Sequence, residues 1–291
     1  SVSSTNADGS SSNTGYNPDG SIVYMSSHTV NADGSTTDGS QYSDGSHETS
    51  TAHADGSNAM SYYNPDGSIS YSYSHTVNAD GSTTDAWQYS DGSHETSTTH
   101  ADVSSVSTSY NADGSYTTSS AGVGGSSSYA SYNPDGSIVY MSSHTVNADG
   151  SSTDAWQSGD GSHGTRTVNA DGSSDATYYN SDGSYYTSVR SVDGSSNNAS
   201  YKADGSLDYT SICTVSADGS STNVLQYSDG RSQSFASFAD GSRYMASHNT
   251  DGSYNTSFTY ADGSSTSTSY NPEGSISASS SHTLNADDSS T

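Results

Sequence analysis

The sequence predicts an all-β chain, an elongated tandem-repeat array of short strands joined by Asn-Ala/Pro-Asp-Gly turns. Three observations predict it. A turn tetrapeptide recurs at fixed spacing from end to end. The residues between turns are rich in Tyr, Thr and Ser with some Ile and Val, which suit a pleated surface. No segment has a helical period, and helix-favouring Leu, Lys, Glu and Gln are scarce.

The turn is clearest at Asn64-Pro65-Asp66-Gly67. Proline at the second position pre-sets φ for a type I turn, and Asn and Asp side chains hydrogen-bond nearby backbone. Glycine at the fourth position takes positive φ and closes a three-residue hairpin loop with a bulge. The four prolines, Pro18, Pro65, Pro134 and Pro272, all occupy the second slot, and alanine usually replaces them elsewhere. The structural turn residues singled out are Asp19, Gly20, Asp66, Gly67, Asp135, Gly136, Asp204 and Gly205.

The turn aspartates follow one another in steps of eleven, except for steps of fourteen at Asp19 to Asp33, Asp66 to Asp80, Asp135 to Asp149, Asp204 to Asp218 and Glu273 to Asp287. From Asp66 on, the long steps recur with a constant period of sixty-nine, beginning at Asp66, Asp135, Asp204 and Glu273, so a large repeat contains the small one. Gly124 holds an aspartate slot. Residues 1–291 read as a single repeat array, with no composition break and with the look of a segment of a longer, processed polypeptide.

Each short unit reads as a turn plus a strand of about seven residues. Two architectures fit: an antiparallel hairpin meander, or a β-solenoid with two units per rung. The turn type favours the meander, because a bulged type I turn joins strands that pair with each other. A hairpin closed at Asp91 then pairs Trp87 with Glu95 and Asp85 with Ser97. The extra segment of the long units, such as Ser74-His75-Thr76-Val77, reads as a corner or bulge that resets the sheet.

Composition bounds the partners. Five Lys and Arg stand against 32 Asp and Glu, a formal charge of −27, so no basic patch exists to displace counterions from nucleic acid. No run is long or apolar enough for a membrane span, and membrane insertion is not expected. Cys213 is alone, which leaves no intrachain disulfide framework. Low hydrophobicity with high charge taken alone reads as disorder, but phased turns between β-favouring segments argue for order.

The tandem Tyr-x-x-Asp-Gly units in a Ser/Thr-rich chain resemble repeat regions of large bacterial surface and secreted fibre or adhesin proteins. Tyr-Asp (RHS-type) repeats and the hairpin repeats of cell-wall-binding modules are the nearest types. The resemblance implies an extracellular or cell-surface setting, and no binding residue carries over from it.

Candidate chemistry is sparse. Repeated Asp-Gly-Ser invites a calcium reading, but the nonapeptide calcium pattern and the twelve-residue EF-hand loop are both absent, and a turn-capping aspartate explains the motif. No cofactor is expected, with calcium as the one candidate ion. His28, His75, His144 and His282 share a slot that Cys213 fills once, too far apart to share a metal. No nucleophile elbow or triad context occurs, and an enzyme is not expected. Trp87 and Trp156, one large repeat apart, read as packing anchors or as sugar-stacking residues. Asn198 and Asn255 match the N-glycosylation acceptor pattern. The expected function is a structural repeat protein of an extracellular fibre, adhesin stalk or matrix that self-associates into filaments. The alternative is a repetitive binding module for carbohydrate, calcium or ice.

Overall fold

The turn chemistry folds locally. At Asn111 the backbone N–H donates to the Ser115 carbonyl at 2.8 Å, and the Gly114 N–H donates back to the Asn111 carbonyl at 3.0 Å. Gly114 takes φ 86°, the left-handed conformation that only glycine adopts freely. The Asp113 carboxylate accepts the Ser115 N–H at 2.9 Å and its hydroxyl at 2.7 Å, and the Asn111 amide donates to that same hydroxyl at 2.9 Å. A turn of this kind is therefore held by its own side chains, without help from a core.

The computed structural model describes residues 1–284, and the turn expected at Asp287 lies outside them. The described residues form 25 strands and no helix. They fall in two units, Ser1–His144 and Thr145–Thr291, with the division inside the strand Ile138–Val146. Within each unit every strand pairs antiparallel with the strands next to it in sequence and packs against no others. This is the hairpin meander, and the parallel rungs of a solenoid do not form. The hairpin at Asp91 has the expected register, Trp87 opposite Glu95 and Asp85 opposite Ser97.

With no second layer there is little core. Among the described residues only Ala130 and Ala246 are buried apolar residues, and no large side chain is fully enclosed. Cohesion comes from backbone ladders and cross-strand side-chain pairs, each pair contributing about 0.2–1 kcal/mol. The longest run of pairs stacks rings across four strands, His94, Tyr110, Tyr116 and Tyr132, with centroids 4.6, 5.1 and 4.5 Å apart. The second unit repeats it as His163, Tyr179, Tyr185 and Tyr201.

The long units contain a bulge, as expected, but it does not lie in the Ser74-to-Val77 segment. Tyr62 opposes Tyr71 while Tyr63 opposes Ile69, so Ser70 is the extra residue, at the start of the strand Ile69–Val77. The same shift occurs at Gly15/Tyr16, Ser131/Tyr132, Ser200/Tyr201 and Ser269/Tyr270. The Ser70 carbonyl accepts the Ser90 N–H at 3.1 Å from the following turn. At its other end the strand overruns its earlier neighbour at Thr76 and Val77, which pair only with the later strand. One bulged residue and this overrun account for the added length of the long units. The Val77 N–H, past the end of its neighbour, donates to the Ser57 hydroxyl at 2.9 Å, and Val30, Val215 and Leu284 do the same to Ser10, Ser195 and Ser264.

Two turns depart from the pattern in their glycines. Val103 stands where glycine is the rule and is held at φ 66°. The loop at Gly122 has glycine in both the aspartate and the glycine slots, and Gly124 and Gly125 both take positive φ, at 96° and 94°.

Candidate functional site

The predicted turn residues Asp19, Asp66, Asp135 and Asp204 each accept the N–H of the serine two positions on, at 2.9 Å. Their glycines, Gly20, Gly67, Gly136 and Gly205, take φ between 80° and 86°. The serine hydroxyl, with its N–H next, holds the Asp19, Asp66, Asp135 and Asp204 carboxyls below the usual carboxylate value, and the same holds at most other turns. These carboxylates spend their acceptor capacity on their own turns, in the hydrogen-bonded charged state. At Ser10, Ser57, Ser195 and Ser264 the hydroxyl accepts from the overrunning strand, and the aspartate accepts the serine N–H.

The faces hold what the turn pattern does not reveal. His75 Nδ1 lies 2.8 Å from Asp85 Oδ1 across adjacent strands, and His28 lies 2.7 Å from Asp38 in the same way. Sequence reasoning grouped these histidines by slot and missed their partners. The signal was present, since each His and its Asp are spaced symmetrically about a turn. Where Cys213 replaces the histidine, Asn223 replaces the aspartate. The histidines are neither at a corner nor near one another.

Asp85 has a second partner, the Tyr73 hydroxyl, which donates at 2.7 Å. That bond, together with burial, pushes the Tyr73 phenol up to about 12. Burial raises the Asp85 carboxyl, and the Tyr73 and His75 hydrogen bonds outweigh it, leaving a net lowering. Trp87 completes the patch, its ring 5.4 Å from Tyr73. Trp156 packs the other way, against Tyr178 at 6.5 Å. Gly164 lies between them, and a Cβ there would meet Tyr178 at 2.6 Å and the indole nitrogen at 2.8 Å. Both tryptophans are half-buried.

No group of three or more His, Cys, Asp or Glu that could hold a metal occurs among the described residues. No helix there is long and apolar enough to cross a membrane. The concavities of the first unit are shallow, open and lined mostly by Ser and Thr, with His28, Asp38, His47 and Glu48 at their margins. Asn198 and Asn255, the glycosylation candidates, sit within strands, with Asn255 exposed on a face and Asn198 half-buried beside Ser196.

No family model and no curated protein matches the chain. Among solved structures, a mutant of the TCP10 domain of Danio rerio CPAP is 15% identical, with 87% of this chain and 98% of that one covered and a TM-score of 0.18. The G-box domain of the microcephaly protein CPAP is 16% identical, with 74% and 94% covered and a TM-score of 0.20. Scores this low carry neither fold nor role across.

Proposed function

We propose that the chain is a structural repeat protein, a self-associating component of an extracellular fibre, adhesin stalk or matrix. One observation carries this reading: every strand packs only against its sequence neighbours, and nearly every turn is closed locally by an Asp that accepts the N–H two residues on. Such an array adds units without redesigning a core, as a spacer or fibre element requires. Side chains on the faces vary from unit to unit more than the turns do, the reverse of what a repeated ligand site needs. The many rim carboxylates keep the chain soluble and its turns ionised. The extracellular setting rests on the resemblance to bacterial surface repeats.

A second reading has its own observation. The half-buried patch of Tyr73, Trp87, Asp85 and His75 offers an aromatic edge beside a carboxylate, the chemistry that holds a sugar ring. Electron microscopy of the full chain with and without chelator separates the two. Filaments in both conditions support the structural role, and dispersed particles that bind glycans support the module.

A further inference from the structure

The two faces of each sheet differ in charge. Strand side chains alternate between faces, and the pairing registers assign them. Asp38, Glu48, Asp85, Glu95, Asp154 and Arg166 share the face opposite the stacked tyrosines. Arg190 and Arg243 fall there too. Outside the bulges, the tyrosine-ladder face carries one described strand residue of the Asp, Glu, Lys and Arg types, Asp175.

The ladder face of the unit Thr145–Thr291 also has relief. His163, Tyr179, Tyr185 and Tyr201 raise a ridge beside the turns. Next to it run small residues, Thr165, Thr177, Thr187 and Ala199. Beyond them the row reads Asp175, Val189, Asn197 and Ile212, with Val189 and Ile212 56% and 48% exposed.

We propose that this ladder face is the contact surface for a second copy of the chain. The two sheets stack face to face about a twofold axis, the aromatic ridge of each lying over the Val189 and Ile212 margin of the other. The inference rests on the self-association reading and names its surface. Charge permits this face: two copies of a chain at −27 repel chiefly through their rims, and the one carboxylate of this face, Asp175 beside Val189, faces the partner's aromatic ridge and not a second carboxylate. An isologous contact needs a self-complementary surface, and a ridge flanked by small residues and by a margin from which Val189 and Ile212 project provides one. Area suffices. About six residues per strand at ~3.3 Å rise and ~4.8 Å strand spacing give about 95 Å² per strand, so twelve strands offer roughly 1,100 Å², above the ~800 Å² per partner of a standard interface.

The test uses the full chain in analytical ultracentrifugation and small-angle scattering. Stacking predicts a cross-section about 20 Å thick, two layers at the ~10 Å spacing of packed sheets. Thr177→Asp with Thr187→Asp places charge in the contact and is expected to weaken association by at least about 100-fold. Ala176→Asp with Ser188→Asp, on the same strands but the other face, is expected to change it less than about threefold. Should the first pair lose its circular dichroism, Val189→Lys with Ile212→Lys at the exposed margin replaces it with the same expectation. Equal weakening by both faces' variants, or assemblies one sheet thick, overturns the stacking and leaves self-association standing. A wild-type chain monomeric at millimolar concentration overturns both.

Discussion

The rims and the faces of the sheet are built on different rules. On a rim, Asn111, Asp113, Gly114 and Ser115 satisfy one another, and the same set returns at turn after turn. On a face, a residue depends on its cross-strand neighbours, and matched positions diverge. Glu95 and Gly164, Tyr73 and Ser142, and Ser109 and Tyr178 hold the same places in successive large repeats, and Trp87 packs on Tyr73 while Trp156 packs on Tyr178. Conformation is decided at the rims, and local packing is left free to vary on the faces.

The strongest challenge to this division is acid, because it strikes the rims together. The turn carboxyls are held below their ordinary value of 3.8 by the serine hydroxyl and N–H. A depressed carboxyl contributes stability above its unfolded pKa and loses it as pH falls through its folded one. Protonation also relieves mutual repulsion, but the hydrogen bonds dominate the lowered values. Far-ultraviolet circular dichroism is therefore expected to stay constant from pH 7 to about 5 and to collapse between about pH 4 and 2. Unchanged ellipticity at pH 2 would mean that the turns do not govern the fold.

A face is broken at one point by Gly164→Glu, the residue found at Glu95. Overpacking of this kind costs about 1–3 kcal/mol, and here it displaces Trp156 from Tyr178, so a lower urea midpoint and a shifted tryptophan emission are expected. The reciprocal Glu95→Gly change overfills nothing and is expected to cost less.

Two serines sharpen the comparison within the rims. Ser57→Ala removes the acceptor of the Val77 N–H and is expected to cost about 1 kcal/mol. Ser93→Ala leaves the backbone bond to Asp91 in place and is expected to cost within about 0.5 kcal/mol. Equal midpoints for the two would remove the special role of the overrunning strand. The smallest test runs in the opposite direction. Val103 is 77% exposed and held at φ 66°, so Val103→Gly relieves left-handed strain at no loss of packing. The extra freedom of glycine in the unfolded chain offsets part of that relief, which leaves an expected gain of about 0.5 kcal/mol in thermal or urea unfolding.

Much of the fold was legible because its determinants are local. Asn-x-Asp-Gly specifies its loop, the loop type specifies antiparallel pairing, and pairing about Asp91 gives the register of Trp87 and Glu95. The same arithmetic about Asp80 gives His75 opposite Asp85. The bulge at Ser70 was less legible, because Ile69-Ser70-Tyr71 has no glycine or other marker of an unpaired residue. Which way Trp156 leans is legible only on the faces, where Ser142 replaces Tyr73, Tyr178 replaces Ser109, and Gly164 leaves room between the indole and the Tyr178 ring.

The long strands have a consequence for how the chain finds its own alignment. Short strands such as Ser105–Tyr110 and Ser265–Tyr270 are close to interchangeable, and a chain built of them alone could pair out of step at little penalty. A strand with an odd residue at its head and two spare ones at its tail fits a single pair of neighbours. Set at intervals along the sequence, it works as a vernier: slippage by one unit is caught within a few hairpins, before the error can spread.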